Sequence, residues 1–153
     1  MESKHGHWFY YTGFDAHSWF GMVYQITDTQ TKMKYIGSKQ FYTKIRRKPL
    51  KGKKRVRLDT KESNWKTYTG SSKALNAVIS EYVTHFETIT GGKVADMPQF
   101  LKKRFSFEIL SLHSSRFTLS YYENRHIYVM DALIDEKYYN CFASRLGTKK
   151  DFA

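Results

Sequence analysis

Residues 21–37 read GMVYQITDTQTKMKYIG. The first seven, with Val23, Tyr24 and Ile26 among them, have the β-branched and aromatic character of a strand. Asp28–Lys32 is a cluster of turn formers, and Met33–Gly37 resumes the extended pattern. Two short apolar runs around a polar turn predict a hairpin, with Tyr24 on one arm and Tyr35 on the other.

C-terminal to this hairpin, residues 44–57 read KIRRKPLKGKKRVR: nine of the fourteen are Lys or Arg and none is acidic. Pro49 and Gly52 exclude a continuous helix, so a projecting basic loop or ribbon is expected. A block of like charge is often only a solvated segment. Its neighbours Phe41, Tyr42, Trp65 and Tyr68 are aromatic, a mixture suited to a phosphate backbone.

Further along, Ser63 and the pair Ser71–Ser72 are candidate helix caps. Leu75, Val78, Ile79, Tyr82 and Phe86 recur at helical spacing over residues 73–86, closed by Gly91–Gly92. A short helical turn is expected over Gln99–Arg104 after Pro98, a third strand over Phe105–Leu112, and a second main helix over residues 118–134. That helix has Leu119, Tyr122, His126, Ile127, Met130, Ala132 and Leu133 as its packed face, and it carries Glu123. The tail from Asp135 reads as irregular and basic, with Asn140 early in it. N-terminal to the hairpin, residues 1–20 show no period and are expected to form an irregular arm over an apolar surface. A metal site from His5, His7 and His17 is the alternative, without the regular ligand spacing such sites have. The reading is one α+β domain: arm 1–20, core 21–140 containing a basic insertion over 44–62, and tail 141–153.

The 153 residues carry 26 Lys and Arg against 14 acids, a net charge of +12. An excess of that size favours an anionic partner, most often nucleic acid. Aromatics at 17% exclude a disordered chain. One cysteine, Cys141, excludes an intramolecular disulfide and a cysteine-based zinc site. No run approaches the roughly 20 apolar residues of a membrane span, nor the core of a signal peptide, so a soluble intracellular protein is expected.

The pair Tyr24 and Tyr35, eleven residues apart, with Tyr35-Ile36-Gly37, Glu123 in SYYENRHI and Asn140 in YYN, resembles the GIY-YIG nuclease domain over about residues 21–140. The strings YIGSKQF, KESNWKTYTGSSK, LSYYENRH and KYYN are similar to small GIY-YIG proteins of tailed bacteriophages, some of them described as homing endonucleases. The resemblance implies a short, mostly antiparallel three-stranded sheet flanked by helices. It implies cleavage of double-stranded DNA with one Mg2+ (or Mn2+) ion, in the cytoplasm of an infected bacterial host.

It also implies roles for residues. Glu123 would hold the ion; magnesium keeps several waters, so one carboxylate suffices. Tyr24 or Tyr35 would orient or deprotonate the attacking water, which a phenol of ordinary pKa near 10 does only with cationic help. Arg46, with Arg47 in reserve and Arg55 or Arg57 as alternatives, would bind the scissile phosphate. Gly37 gives room at the strand end, Asn140 braces the site, and His126, one turn beyond Glu123, is a candidate proton shuttle. Lys44, Arg46, Arg47, Lys48, Lys51, Lys53, Lys54, Arg55 and Arg57 are the candidate DNA contacts. The first motif carries Met22 where the family has Gly. There is no room for a separate recognition domain, so sequence preference would come from the basic insertion, the arm, a homodimer or a phage protein partner. The competing reading is a basic nucleic-acid-binding protein without catalysis.

Overall fold

In the computed structural model, which describes residues 4–141 and 143, the hairpin is formed by β1 (Gly21–Asp28) and β2 (Lys34–Gln40). They pair antiparallel, with Tyr24 opposite Gly37 and Ile26 opposite Tyr35. Asp28 caps the turn by accepting from the Gln30 and Thr31 amides, and Lys32 takes the left-handed conformation the turn needs. The basic segment is a ribbon that ends in a loop: β3 (Tyr42–Arg47) pairs with β4 (Arg57–Glu62) as a separate two-stranded sheet, and Lys48, Lys51, Lys53, Lys54 and Arg55 lie in the loop joining them.

Ser72 caps α1 (Lys73–Thr90) by accepting from the Leu75 amide, and Gly91 closes it in the left-handed conformation. Ser63 is no cap; its hydroxyl donates to the Gln40 carbonyl and pins the foot of the ribbon to β2. Asp96 and Pro98 start α2 (Met97–Lys102). It leads into β5 (Phe105–His113), antiparallel on the far side of β1, giving the order β2-β1-β5. Ser115 caps α3 (Arg116–Val129). This helix ends five residues short of the expected Ile134, because Asp131 turns left-handed. Met130 and Leu133 are consequently exposed and not part of its packed face, whereas Leu119, Ile127 and Ala132 are buried.

β1 is central and packed on both sides, which is why its sequence is apolar without alternation. Met22, Tyr24 and Ile26 face a core shared with α1, α2, Phe41, Trp65 and Trp8. Val23 and Ile36 face a second cluster with Leu119 and Ile127 of α3. A bulge on β5 opposite the Val23–Tyr24 step increases the local twist there. Arg104 clasps the buried Asp28 with two hydrogen bonds, of 3.1 and 2.8 Å, tying the hairpin turn to the α2–β5 junction.

The N-terminal arm does cover an apolar surface. Trp8 and His7 are buried, and Phe9 bridges β5 by hydrogen bonds with Phe107 and Ile109. Its histidines are used separately: His5 stacks on Phe14, His7 on Phe107 and His17 on Tyr42. Among the described residues, no group of three or more His, Cys, Asp or Glu is placed to hold a metal ion. The tail pairs through Lys137 and Tyr139 with Lys34 at the start of β2, while its basic end lies outside the described residues. No helix of the described residues is long and apolar enough to cross a membrane.

Candidate active site

β1 and β2 bring Tyr24 and Tyr35 together, with ring centroids 6.2 Å apart. The Tyr24 phenol lies across β2 at Gly37, where any side chain would collide with its hydroxyl. Gly37 is therefore a requirement of close approach rather than of backbone freedom. On the other face of β2, Ser38 donates a 2.6 Å hydrogen bond to Oε2 of Glu123, from α3. Charge on that carboxylate reaches both phenols.

The loop between the ribbon and α1 completes the site. Tyr68 meets Tyr24 edge to face at 6.2 Å. Gly70, at φ +85°, packs against the Tyr35 ring and the Tyr24 hydroxyl. The hydroxyls of Tyr35 and Ser71 are 2.9 Å apart. The ammonium of Lys39 lies 4.2 Å over the Tyr68 ring. The arm holds this loop in place: His7 Nε2 donates to the Tyr68 carbonyl at 2.9 Å, and Trp8 donates to the Trp65 carbonyl.

Burial pushes the Tyr24 phenol well above its ordinary range, and the neighbouring tyrosines and Glu123 push it further. Burial also raises Tyr35, with Ser71 pulling it partly back and Glu123 adding to the rise. Both are neutral hydroxyl donors and acceptors as they stand. Glu123 is raised by burial and partly restored by Ser38, while burial lowers Lys39. The donor set fits one hard divalent cation: a half-buried carboxylate with one oxygen held by the Ser38 hydroxyl and the other left to take a cation that keeps most of its waters.

The other residues expected from the sequence fall in several places. Asn140 is buried and clasps Ile36 on both sides, accepting from its amide at 3.0 Å and donating to its carbonyl at 2.8 Å. His126 is half-buried on α3, and its charge lowers His113 of β5, which burial lowers more. Arg46 stands exposed on the ribbon opposite Leu58, and Arg47 beside it is paired with Asp59 at 2.8 Å. Arg57 donates to the Lys48 carbonyl. Lys44, Lys48, Lys51, Lys53, Lys54 and Arg55 are exposed around the ribbon. The groove next to Ser38 is bordered instead by Lys39 and Arg116. Of the aromatics expected to meet a phosphate backbone, Phe41 and Trp65 are buried core residues and cannot; Tyr42 and Tyr68 remain accessible.

The places of Tyr68, Gly70 and Ser71 in the site are not expected from the motifs, although the chain carries a signal for them. Tyr68-Thr69-Gly70-Ser71 echoes Tyr35-Ile36-Gly37-Ser38. Each copy supplies an aromatic ring, a glycine against a phenol and a hydroxyl to the same site.

Residues 7–91, more than half of the chain, match the family model described as "Putative endonuclease segE, GIY-YIG domain". The match takes in the arm from His7, the hairpin, the ribbon, the 65–71 loop and α1; Glu123 and Asn140 lie beyond it. No curated protein and no solved structure matches the chain.

Proposed function

We propose a mechanism from one premise: the chain belongs to the segE-type family of GIY-YIG endonucleases. It is a DNA endonuclease of the GIY-YIG type. The finer reading is hydrolysis of phosphodiester bonds in double-stranded DNA, with one Mg2+ or Mn2+ ion held at Glu123. The observation that supports it most is the juxtaposition of the two phenols with a Ser38-oriented carboxylate across β2.

A divalent cation at this position supplies positive charge that makes water easier to deprotonate and offsets charge on the phosphate. Glu123 holds it, and Ser38 fixes the carboxylate's rotamer. Tyr35, the more exposed phenol of the pair, orients the attacking water by accepting a hydrogen bond from it, with Ser71 supporting its hydroxyl; it would take the water's proton only after losing its own to solvent, as a phenolate stabilised by the neighbouring cation. Tyr24 is buried beneath and donates a hydrogen bond towards the phosphate as charge builds up on its oxygens. Asn140 keeps the strand bearing Tyr35 and Gly37 in register. Arg46 and the other ribbon cations grip the DNA backbone, and His126 serves α3 packing beside His113. The setting implied by the phage resemblance is the cytoplasm of an infected bacterium. A homodimer or a phage partner would supply recognition.

The test is cleavage of supercoiled plasmid with Mg2+ or Mn2+, against EDTA and Glu123→Ala. Nicked or linear product that disappears in both controls is expected, with DNA binding retained in the mutant. Tight, salt-sensitive binding without product under any metal would instead favour a non-catalytic nucleic-acid-binding protein.

A further inference from the structure

A second recess opens beside the candidate active site. It has a volume of about 650 Å³ and lies between the end of the arm, the base of the ribbon and the start of α3. It shares Gln40, Thr43 and Arg116 with the groove that begins at Ser38 and Lys39, so the two form one trough. Its size is that of a small-molecule site.

The walls are aromatic and flat. His17 and Tyr42 stack at 4.8 Å with ring planes 26° apart, and a 3.0 Å hydrogen bond between them locks the pair. Trp19 and Phe20 supply further aromatic surface. Trp19 is 37% exposed, whereas Trp8 and Trp65 are 4% and 1% exposed. The recess is pre-formed, because the backbone of Phe20 is tied to His113 and Phe41. Lys44 and Arg116 stand on its rim; among the described residues no acidic side chain lines it, and Asp15 and Glu62 lie behind the His17–Tyr42 pair in the adjoining pocket. Flat aromatic faces beside cations suit a nucleobase with its phosphates; a membrane lipid or an acidic peptide would leave the flat faces without a matching ring.

We propose that this recess is a base-binding subsite. An unstacked base of the strand being cut lies against Trp19 and the His17–Tyr42 pair, while Lys39 and Arg116 hold the phosphates between that base and Glu123. The inference rests on the DNA-cleaving reading above and adds a substrate requirement to it: the DNA near the cut must open, so unpaired or easily unstacked steps are preferred.

Trp19 reports directly, being the exposed tryptophan. A short fluorophore-labelled thymidine oligonucleotide is titrated by anisotropy and by tryptophan emission, beside an oligonucleotide of equal charge built from abasic sites. Quenching by the thymidine strand, absent with the abasic strand at matched occupancy, is expected. Trp19→Leu removes the quenching and lowers plasmid cleavage about tenfold, the scale of one base–aromatic stack. Equal quenching by both strands, or binding without quenching, overturns the subsite, and so does failure of the thymidine strand to bind. The two readings fail separately. If wild-type protein cuts plasmid but thymidine does not quench, only the subsite falls. If thymidine quenches but no metal supports cutting, the subsite stands and the endonuclease mechanism falls.

Discussion

Ser38 and Glu123 are 85 residues apart in the chain and joined by a 2.6 Å hydrogen bond from the serine hydroxyl to the carboxylate. That bond links the edge of the tyrosine hairpin to α3, and it leaves one carboxylate oxygen for another partner.

If Glu123 holds the ion, Ser38 is what orients it. Ser38→Ala is expected to slow plasmid nicking by about 10–100-fold, the usual range for losing an outer hydrogen bond to a metal-holding group. The Mg2+ concentration at half-maximal rate should rise as well. A Mg2+ titration with an unchanged midpoint would contradict that role.

The two glycines of the site leave no space for a methyl group. At Gly37 a Cβ meets the Tyr24 hydroxyl; at Gly70 it comes within 3.0 Å of the Tyr35 ring, on a backbone at φ +85°. Gly37→Ala and Gly70→Ala should each cost roughly 1–3 kcal/mol in urea unfolding. Displacement of the phenols should lower cleavage by more than the stability loss alone explains. Either variant cutting at the wild-type rate would show that the phenols are not confined as described.

His7 gives the stability a pH dependence. Burial lowers its pKa from 6.5 to about 4, although its bond to the Tyr68 carbonyl works the other way. Between those values the unfolded chain binds a proton at this site and the folded chain does not. This contribution is therefore complete above pH 6.5 and is lost as pH falls towards 4, by about 3 kcal/mol at most. Urea midpoints measured from about pH 7.5 to about pH 4.5 should fall in that window. His7→Gln, which keeps a donor for Tyr68, should flatten the curve; an unchanged slope in the variant would assign the effect elsewhere.

Arg104 is the only side chain that places an opposite charge on Asp28 in a salt bridge among the described residues, and Asp28 is fully buried. Arg104→Met should destabilise the fold by about 3–5 kcal/mol, because it leaves a buried carboxylate without its counterion. Calorimetry reads this directly, and a change below about 1 kcal/mol, the level of a surface pair, would refute it.

For the ribbon, the triple change of Lys51, Lys53 and Lys54 to Gln should weaken DNA binding and flatten its salt dependence. Each phosphate that these lysines no longer neutralise takes about 0.9 off the slope of log K against log salt. The measurement is best made in the Glu123→Ala background, where DNA is not consumed. A slope equal to that of the unaltered ribbon would place these lysines away from DNA.

The sequence alone determined the elements whose signals are local. The hairpin followed from two apolar runs around Asp28–Lys32, α1 from its apolar spacing between Ser72 and Gly91, and the β5 strand from alternation. These patterns survive because burial, capping and turn chemistry act over a few residues. Tyr24, Tyr35, Gly37, Glu123 and Asn140 could be singled out by motif and spacing. Tertiary structure alone decided what required distant partners. It ended α3 at Val129, buried Phe41 and Trp65, paired the two ends of the basic run while leaving its middle as a loop, and set Tyr68, Gly70 and Ser71 against the phenols. It also put Lys39 and Arg116, rather than Arg46, beside Ser38. The reason is physical: a side chain's neighbours across a sheet edge are fixed by strand register and helix docking, and a linear chain carries those only as the sum of all its packing.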